Sequence, residues 1–588
     1  MDFMKILTVV LLVCFFALMI GVGVYSRRRA TDVNGFVLGG RSVGPWLTAF
    51  AFGTSYFSAV IFVGYAGQFG WNFGLSSTWA GLGNAFIGSL LAWNILGRRT
   101  RVMTQHFDAK TMPDFFGKRF GSKTLKIVAS IIVFIFLIPY TASLYNGLSS
   151  LFGLVFEIPY WVVILVMAVL TGVYVIFGGY MATAINDFIQ GIIMLFGITA
   201  VIVSVLVQNG GLVEAMKTLS TIEGDAGWAG AYSSFLGPDP LALLFVVILT
   251  SLGTWGLPQM VGKFYAIKSE KDIHKGTVIS TFFAIVVAGG CYFLGGFGRL
   301  YADAGVVYNA TTGKPLFDTI VPAMLATLPD IVIAIVIVLV LSASMSTLSS
   351  LVLTSSSTFT LDVIKPAFKK GLTDKQQVFI MRLFIVFFIA ISAVIAVIKD
   401  SHPSVTFIAQ MMGVSWGALA GAFLAPFLYS LYSKKVTKAS VAVCFVWGCG
   451  IAIFQMVVTL AKLPVADFGP FFGYIFKSSI NSGVVAMVGG LVIVPIVSLF
   501  TKKPDEKVIA EAFHSYDKTI VVKAKDSLGD DEEEEKKNYL LINEIKKVVH
   551  SFVHDFLFYD ILKSFFKCQH RFAGFIKKYN LPDTDNNG

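Results

Sequence analysis

Thirteen apolar segments, each long enough to cross a bilayer as a helix, constrain this chain more than any other feature. A helix needs about 20 mostly apolar residues to cross the hydrocarbon core, where only helices and closed barrels satisfy the backbone. With 56% hydrophobic and 14% charged residues in 588, the sequence predicts an all-α polytopic membrane protein with thirteen transmembrane helices. The segments cover residues 5–25, 46–69, 75–97, 124–152, 158–178, 185–207, 241–262, 278–298, 331–362, 376–398, 403–431, 438–460 and 482–500.

Basic residues are unevenly distributed between the connecting loops. Among the Lys and Arg of the connecting loops, most lie in the loops after the first, third, seventh, ninth and eleventh segments, with seven in residues 98–123. The alternate loops hold only six. Positively charged loops stay in the cytoplasm. The pattern predicts a cell-membrane protein with its N-terminus outside and its C-terminus in the cytoplasm. It also accounts for the net charge of +11 without nucleic-acid binding.

Two segments contain helix-breaking residues near their middle. The second contains Gly53 among hydroxyl residues, and the seventh contains Gly253, Gly256 and Pro258. Proline removes a helical hydrogen bond, and unwound backbone at membrane depth is tolerated only inside protein or beside a cavity. Because the two segments are five apart, we expect two inverted repeats of five helices, with cores at 46–207 and 241–431. The alternative is that Gly and Pro are common in transmembrane helices generally.

The ninth segment carries the run Ser-Ala-Ser-Met-Ser-Thr-Leu-Ser-Ser at residues 342–350. Hydroxyls are unfavourable in lipid without a partner, so the run indicates either helix–helix packing or the lining of a site. Neutral hydroxyl and carbonyl oxygens are suitable ligands for a dehydrated Na⁺. Positions 343, 346 and 347 lie on one helix face because they are spaced i, i+3 and i+4.

Enzyme classes find no support in the sequence. There is no nucleotide-binding Gly-rich loop with a Lys, no metal-ligand cluster in the apolar segments and no Ser/His/Asp arrangement, and the five Cys are scattered. We therefore expect a protein that is not an enzyme.

Five stretches resemble characteristic blocks of one transporter family. They are residues 36–45 (FVLGGRSVGP), 48–55 (TAFAFGTS), 178–191 (GGYMATAINDFIQG), 256–259 (GLPQ) and 343–347 (ASMST). The family is the sodium:solute symporter family, and the resemblance is nearest to its bacterial sodium/proline symporter branch. One departure is Asn186, where the family usually has Thr. The resemblance implies a LeuT-type fold of five plus five inverted helices, with one extra helix before them and two after.

The resemblance also implies which residues bind the coupling ion, Na⁺. The family's principal Na⁺ site matches, in this sequence, Thr54, Phe57, Ala343, Ser346 and Thr347. Some members, among them sodium/sialic acid transporters, have a second Na⁺ site one turn deeper, which matches Asp187, Ser349 and Ser350. The sequence leaves open whether one or two ions bind per cycle. The alternative for Asp187 is a solvated residue at the cytoplasmic end of the sixth segment.

The substrate positions depart from the known branches. Tyr56 stands where proline-type members have Asp, and Thr250 and Thr254 stand where they have Trp and Tyr. We expect an aromatic and hydroxyl-lined pocket that suits a small zwitterion or carboxylate at the positive end of a half-helix. Its predicted members are Tyr56, Tyr65, Tyr140, Thr250, Thr254, Trp255 and Gln410. Ordinary helix packing is the alternative for each single aromatic.

The C-terminal part differs from the apolar core. Residues 1–500 are assigned to the transmembrane domain, and residues 501–538, which include an acidic run, to a charged cytoplasmic linker. Residues 539–588 alternate aromatic and basic side chains. They are expected to form a basic amphipathic tail on the lipids of the inner leaflet.

The sequence therefore predicts a monomeric secondary active transporter that imports a small organic solute, an amino acid or carboxylate, together with Na⁺ by alternating access. Two other classes stay open. A passive facilitator or channel would show no Na⁺-dependent accumulation, and a transporter-like solute sensor would bind its ligand with little flux.

Overall fold

The computed structural model describes residues 3–156, 159–303, 307–308, 313–368, 371–401 and 408–517. The predicted tail at 539–588, and the linker beyond residue 517, lie outside the described residues. Within these ranges the chain is helical almost throughout and has isolated β-bridges but no strand. This agrees with the predicted all-α class.

The helices are numbered here in chain order. They are α1 (Phe3–Ser26), α2 (Val33–Leu38), α3 (Pro45–Thr54), α4 (Val60–His106), α5 (Met112–Arg119), α6 (Lys123–Phe156), α7 (Tyr160–Gln208), α8 (Leu212–Thr221), α9 (Pro240–Leu252), α10 (Pro258–Ala266), α11 (Glu270–Gly295), α12 (Phe317–Ala326), α13 (Asp330–Ala367), α14 (Asp374–Ser401), α15 (Ile408–Tyr432), α16 (Lys438–Leu460), α17 (Gly469–Phe476), α18 (Ser479–Phe500) and α19 (Glu506–Asp517).

Ten helices in the described part of the chain are long and apolar enough to cross a membrane, or eleven when α9 and α10 count as one bent crossing. The sequence predicts thirteen. The numbers differ because α4 and α7 contain continuous candidate spans of 47 and 48 residues, each reaching over more than one predicted segment. Helix α7 is kinked at Gly179, where φ is 54° and ψ is −145°, a backbone conformation that favours glycine. The count of thirteen stays a prediction.

Both predicted interruptions are present. Helix α3 ends at Thr54 and α4 begins at Val60, with non-helical backbone at residues 55–58 between them. Helix α9 continues into a tight 3₁₀ turn and an extended residue, Leu257, before α10 starts at an angle of 46°. Gly256 is needed in this turn, because a Cβ there would lie 2.8 Å from the Cα of Ala420 in α15. The second interruption is thus packed directly against α15.

Helix α13 lies against the two long helices α6 and α7 and faces the first interruption, while α15, α16 and α18 form a group beside them. The two interrupted segments are also tied together near the basic loop at 98–123. The Val43 N–H donates to the carbonyl of Ala266 over 3.2 Å, and the Lys268 N–H donates to the carbonyl of Val43 over 2.9 Å. These hydrogen bonds join the chain just before α3 to the chain at the end of α10.

A buried ion network closes the same end of the helices. The Nζ of Lys126 lies 2.6 Å from Asp114 Oδ1 and 3.0 Å from Asp362 Oδ1, and the hydroxyl of Thr111 donates to Asp362 Oδ2 over 2.5 Å. Burial would raise the pKa of Asp114, but Lys126 and Lys118 outweigh it and hold that pKa below its usual range. The network joins α5, α6 and α13.

Helix α19 lies within the segment that the sequence analysis assigns to a linker, and it packs on the transmembrane helices. Phe513 lies 5.1 Å from the guanidinium of buried Arg119, and the hydroxyl of Tyr516 donates to the carbonyl of Leu431 over 3.2 Å. The folded part of the chain therefore extends past residue 500.

Candidate cation and solute site

The interruption between α3 and α4 faces the hydroxyl run of α13. Thr347 Oγ1 donates to the carbonyl of Thr54 over 3.0 Å and lies 3.2 Å from the carbonyls of Phe57 and Ala343. Ser346 Oγ lies 3.2 Å from the Thr54 carbonyl and 3.1 Å from that of Ala343. All five residues are buried. The structure thus brings together all the residues predicted for the principal Na⁺ site.

The chemistry of these five groups is uniform: three carbonyls and two hydroxyls, with no formal charge. A hydroxyl donates one hydrogen bond and keeps two lone pairs, so Ser346 and Thr347 can rotate their protons away and present oxygen to a cation. Unwound carbonyls of a discontinuous helix are typical ligands for Na⁺ in secondary transporters. The Thr54 and Phe57 carbonyls belong to the end of α3 and the interruption after it, whereas the Ala343 carbonyl and both hydroxyls belong to α13. A cation bound to all five would therefore hold the first interruption against α13.

The residues predicted for a second Na⁺ site have a different neighbour. Ser350 Oγ lies 2.9 Å from Ser55 Oγ, and Ser349 Oγ donates to the carbonyl of Ser346 over 2.9 Å. The Nζ of Lys263 donates to Ser350 Oγ over 3.0 Å and lies 3.5 Å from Asp187 Oδ2. Asp187 is completely buried, so the alternative of a solvated carboxylate does not hold in this structure.

Three predicted substrate residues lie together. Tyr56, Tyr65 and Tyr140 are buried, and Tyr56 and Tyr65 each lie near Tyr140. The ring of Tyr140 meets that of Trp416 edge to face at 6.1 Å. Among the described residues, the hydroxyl of Tyr56 has no hydrogen-bond partner and that of Tyr140 makes no well-formed hydrogen bond. Buried polar groups normally find a partner, so these hydroxyls mark a place where a ligand or water can bind.

The other four predicted substrate residues are engaged elsewhere. Thr250 donates to the carbonyl of Val246 over 2.9 Å within α9. Thr254 and Trp255 donate to carbonyls of Gly88 and Ile87 in α4, over 3.2 and 3.0 Å. Gln410 donates to the hydroxyl of Thr459 in α16 over 3.2 Å. Thr254, Trp255 and Gln410 therefore join neighbouring helices in the conformation observed, whereas Thr250 bonds within its own helix. The place of all four in a substrate pocket stays a prediction.

Three functional candidates were missed by the sequence analysis. Ser58 and Trp416 lie within hydrogen-bonding reach of the hydroxyl of Tyr140, and their polar atoms have no other partner among the described residues. Trp416 gave no signal, because a tryptophan in an apolar helix is ordinarily a packing residue. Lys263 could have been identified from the sequence, because a basic residue next to a broken apolar segment is a functional candidate. The predicted segment ends at residue 262, so Lys263 was assigned to the loop that follows it.

Comparison with known proteins gives the family. The model of the sodium:solute symporter family matches residues 36–448, more than half of the chain. The chain belongs to the sodium:solute symporter family. The predicted membership is confirmed, and with it Na⁺ as the coupling ion and a class of transporters, not of enzymes.

Two relatives in this family are similar over most of their length. The osmoregulated proline transporter OpuE of Bacillus subtilis (strain 168) is 28% identical over 505 residues, which cover 85% of this chain and 96% of the relative. The sodium/proline symporter of Staphylococcus aureus (strain JH9) is 30% identical over 512 residues, which cover 84% and 93%. The predicted nearness to the sodium/proline branch is confirmed.

A solved symporter has the same fold. The structure of a Na⁺-coupled sialic acid symporter in a substrate-bound outward-open state superposes with a TM-score of 0.64 at 16% identity, covering 86% of this chain and 99% of that one. At this identity the similarity concerns the fold alone. It agrees with the LeuT-type architecture predicted for the sodium:solute symporter family.

Proposed function

We propose that this sodium:solute symporter imports a small organic solute, an amino acid or carboxylate, with Na⁺ by alternating access. The observation that carries the proposal is the convergence of the Thr54, Phe57 and Ala343 carbonyls with the hydroxyls of Ser346 and Thr347 within 3.0–3.2 Å. An ion bound there would link an interrupted helix to α13 and favour one arrangement of the helices. Na⁺ and solute would then strengthen each other's binding reciprocally.

The membrane topology belongs to the same proposal. The eleven candidate crossings become thirteen if the 47- and 48-residue spans in α4 and α7 each cross twice, since about 20 residues suffice for one crossing. Both helices contain a glycine with positive φ, Gly74 and Gly179, at which the chain can turn. The basic loops would then lie in the cytoplasm with the C-terminus, and the N-terminus outside.

The solute class follows from the buried polar groups beside the ion site. Among the described residues, the hydroxyl of Tyr56 has no hydrogen-bond partner. The hydroxyls of Tyr140 and Ser58 and the indole N–H of Trp416 face one another without a well-formed hydrogen bond. A site lined by these groups suits a small molecule with both polar and apolar surface. Proline is the first compound to test, because both relatives are named for it. Because Tyr56 stands where proline-type members have Asp, other amino acids and carboxylates are tested beside proline.

The decisive test is uptake into proteoliposomes of labelled amino acids, short carboxylates, sugars and vitamins. Each compound is offered with an inward Na⁺ gradient or with K⁺ alone. One Na⁺ moving inward at 100 mV releases about 2.3 kcal/mol, enough for a roughly 40-fold accumulation at about 1.4 kcal/mol per tenfold. Accumulation only with Na⁺ supports symport. Equal equilibration with either ion would establish a facilitator instead, and Na⁺-dependent binding without flux a sensor.

Replacing Tyr140 by Phe is expected to weaken solute binding roughly fivefold with little change in Na⁺ affinity. The reason is that a hydrogen bond to a ligand contributes about 1 kcal/mol, while the aromatic packing is kept. The measurement is the KM for the solute at saturating Na⁺. Tyr429→Phe is the control, because its hydroxyl bonds the carbonyl of Leu491 in α18 over 2.9 Å, away from the pocket. An equal effect of both substitutions would argue against Tyr140 as a solute ligand.

A further inference from the structure

Lys263 is a buried cation among the groups predicted to bind a second Na⁺. It lies in α10, the half-helix after the second interruption, and its side chain is only 3% exposed. Its Nζ is 3.0 Å from Ser350 Oγ and 3.5 Å from Asp187 Oδ2, and it lies 5.3 Å from the ring of Tyr180. Two of the three predicted ligands of a second ion therefore already contact a positive charge that belongs to the protein.

We propose that the Lys263 ammonium takes the place of a second Na⁺, so that this symporter binds one Na⁺ per cycle. The inference rests on the proposed function, because it presupposes Na⁺ at the principal site. It decides between the one and two ions per cycle that the presence of Asp187, Ser349 and Ser350 leaves open.

Charge balance is the first argument. Asp187 and Lys263 are both buried, and a buried charge is stable only when it is paired or hydrogen-bonded. The pair is neutral as it stands. A Na⁺ bound to the same carboxylate would put two positive charges beside one negative charge at a depth where water does not screen them. Because the lysine is covalently attached, Na⁺ cannot displace it into solution.

The hydrogen bonding of Ser350 is the second argument. Its hydroxyl oxygen accepts a bond from Lys263 and lies within bonding distance of Ser55 Oγ. Its oxygen is thus directed at the ammonium rather than at an empty space.

The tethered charge also lies next to the principal site. Ser55 follows Thr54, whose carbonyl is a predicted ligand there, and Ser349 bonds the carbonyl of Ser346. On its other side, Lys263 lines a small cleft of about 40 Å³ that extends to Lys110 and Thr111 in the basic loop. Lys263 therefore stands between the principal ion site and this cleft.

The test counts bound ions directly. We expect the purified full chain to bind one ²²Na⁺ per molecule at saturation, and Ser346→Ala with Thr347→Ala to bind none. Lys263→Gln is expected to bind two, because it leaves Asp187 without its cation. Asp187→Asn combined with Lys263→Gln should return the number to one, because it removes the carboxylate that recruits the extra ion.

The wild-type count decides the question even if Lys263→Gln does not fold. Two ions on the wild-type chain, one of them lost in Asp187→Asn, would overturn the role of Lys263 and leave the proposed function standing. No bound ion on a folded wild-type chain would overturn both. A folded Lys263→Gln that still binds one ion would also contradict the inference.

Discussion

Replacing Ser346 and Thr347 together by alanine is expected to abolish Na⁺-driven accumulation, with Na⁺ affinity falling by at least about 100-fold. The double substitution removes two of the five oxygens at the principal site and leaves the carbonyls of Thr54 and Phe57 without a hydroxyl opposite them. Each interaction with a charged group contributes about 1.5–3 kcal/mol. Two such losses correspond to roughly two to four powers of ten at about 1.4 kcal/mol each. The measurement is the Na⁺ concentration for half-maximal uptake, together with ²²Na⁺ binding.

A matched control separates the ion site from the general effect of removing hydroxyls. Ser355 and Ser356 are also neighbouring buried serines of α13, but they lie about two and a half turns farther along the helix. Ser355→Ala with Ser356→Ala should leave Na⁺ affinity nearly unchanged. Similar losses in both double variants would show that the hydroxyls of α13 serve packing, the alternative that the sequence leaves open. Full Na⁺-driven uptake by the first variant would remove the principal site from the proposal.

Replacing Lys126 by Met is expected to destabilise the protein by about 3–5 kcal/mol, the usual effect of removing one partner from a buried ion pair. Lys126 is the cation shared by Asp114 and Asp362, at 2.6 and 3.0 Å. Without it, Asp362, only 1% exposed, has no cation, and Asp114 beside it keeps only Lys118, whose Nζ lies 3.0 Å from Asp114 Oδ2. The apparent midpoint of thermal unfolding in detergent should fall by several degrees.

The exposed neighbour Lys123 provides the control, and Lys123→Met should leave the midpoint nearly unchanged. Adding Asp362→Asn to Lys126→Met should recover part of the loss, because it removes the carboxylate that is left without a cation. If Lys126→Met unfolds at the same temperature as Lys123→Met, the network does not stabilise the folded chain.

The principal site and Lys263 together suggest how ion and solute act on one set of helices. The first interruption offers carbonyls to an ion. Tyr56 and Ser58, within the same four-residue stretch, have buried hydroxyls that make no well-formed hydrogen bond among the described residues. One ion at the interruption would therefore order the backbone that also presents the solute ligands. In this scheme Lys263 provides, permanently, the positive charge that a second Na⁺ would otherwise bring.

The local properties of this protein could be predicted from the sequence. These properties are the membrane class, the two interruptions at residues 55–58 and 253–257, and the hydroxyl face formed by Ser346 and Thr347. They follow from the lengths of the apolar segments, the helix-breaking residues within them and the helical spacing of side chains. All of these involve residues that are close together in the sequence. The resemblance to the sodium:solute symporter family added which backbone atoms face those hydroxyls, and the structure brings them together.

The partners of individual side chains could not be predicted in this way. Gln410 was expected near the solute but bonds Thr459, and Lys263 was assigned to a loop but pairs with Asp187. The exact end of a helix is poorly defined by hydropathy, and one residue decided whether Lys263 counted as membrane or loop. Which hydroxyls and charges meet depends on how helices far apart in the chain are aligned, as in the contact between Ser55 and Ser350, 295 residues apart. Only packing in three dimensions fixes that alignment, and so only the tertiary structure decided that a lysine lies where a second sodium ion was expected.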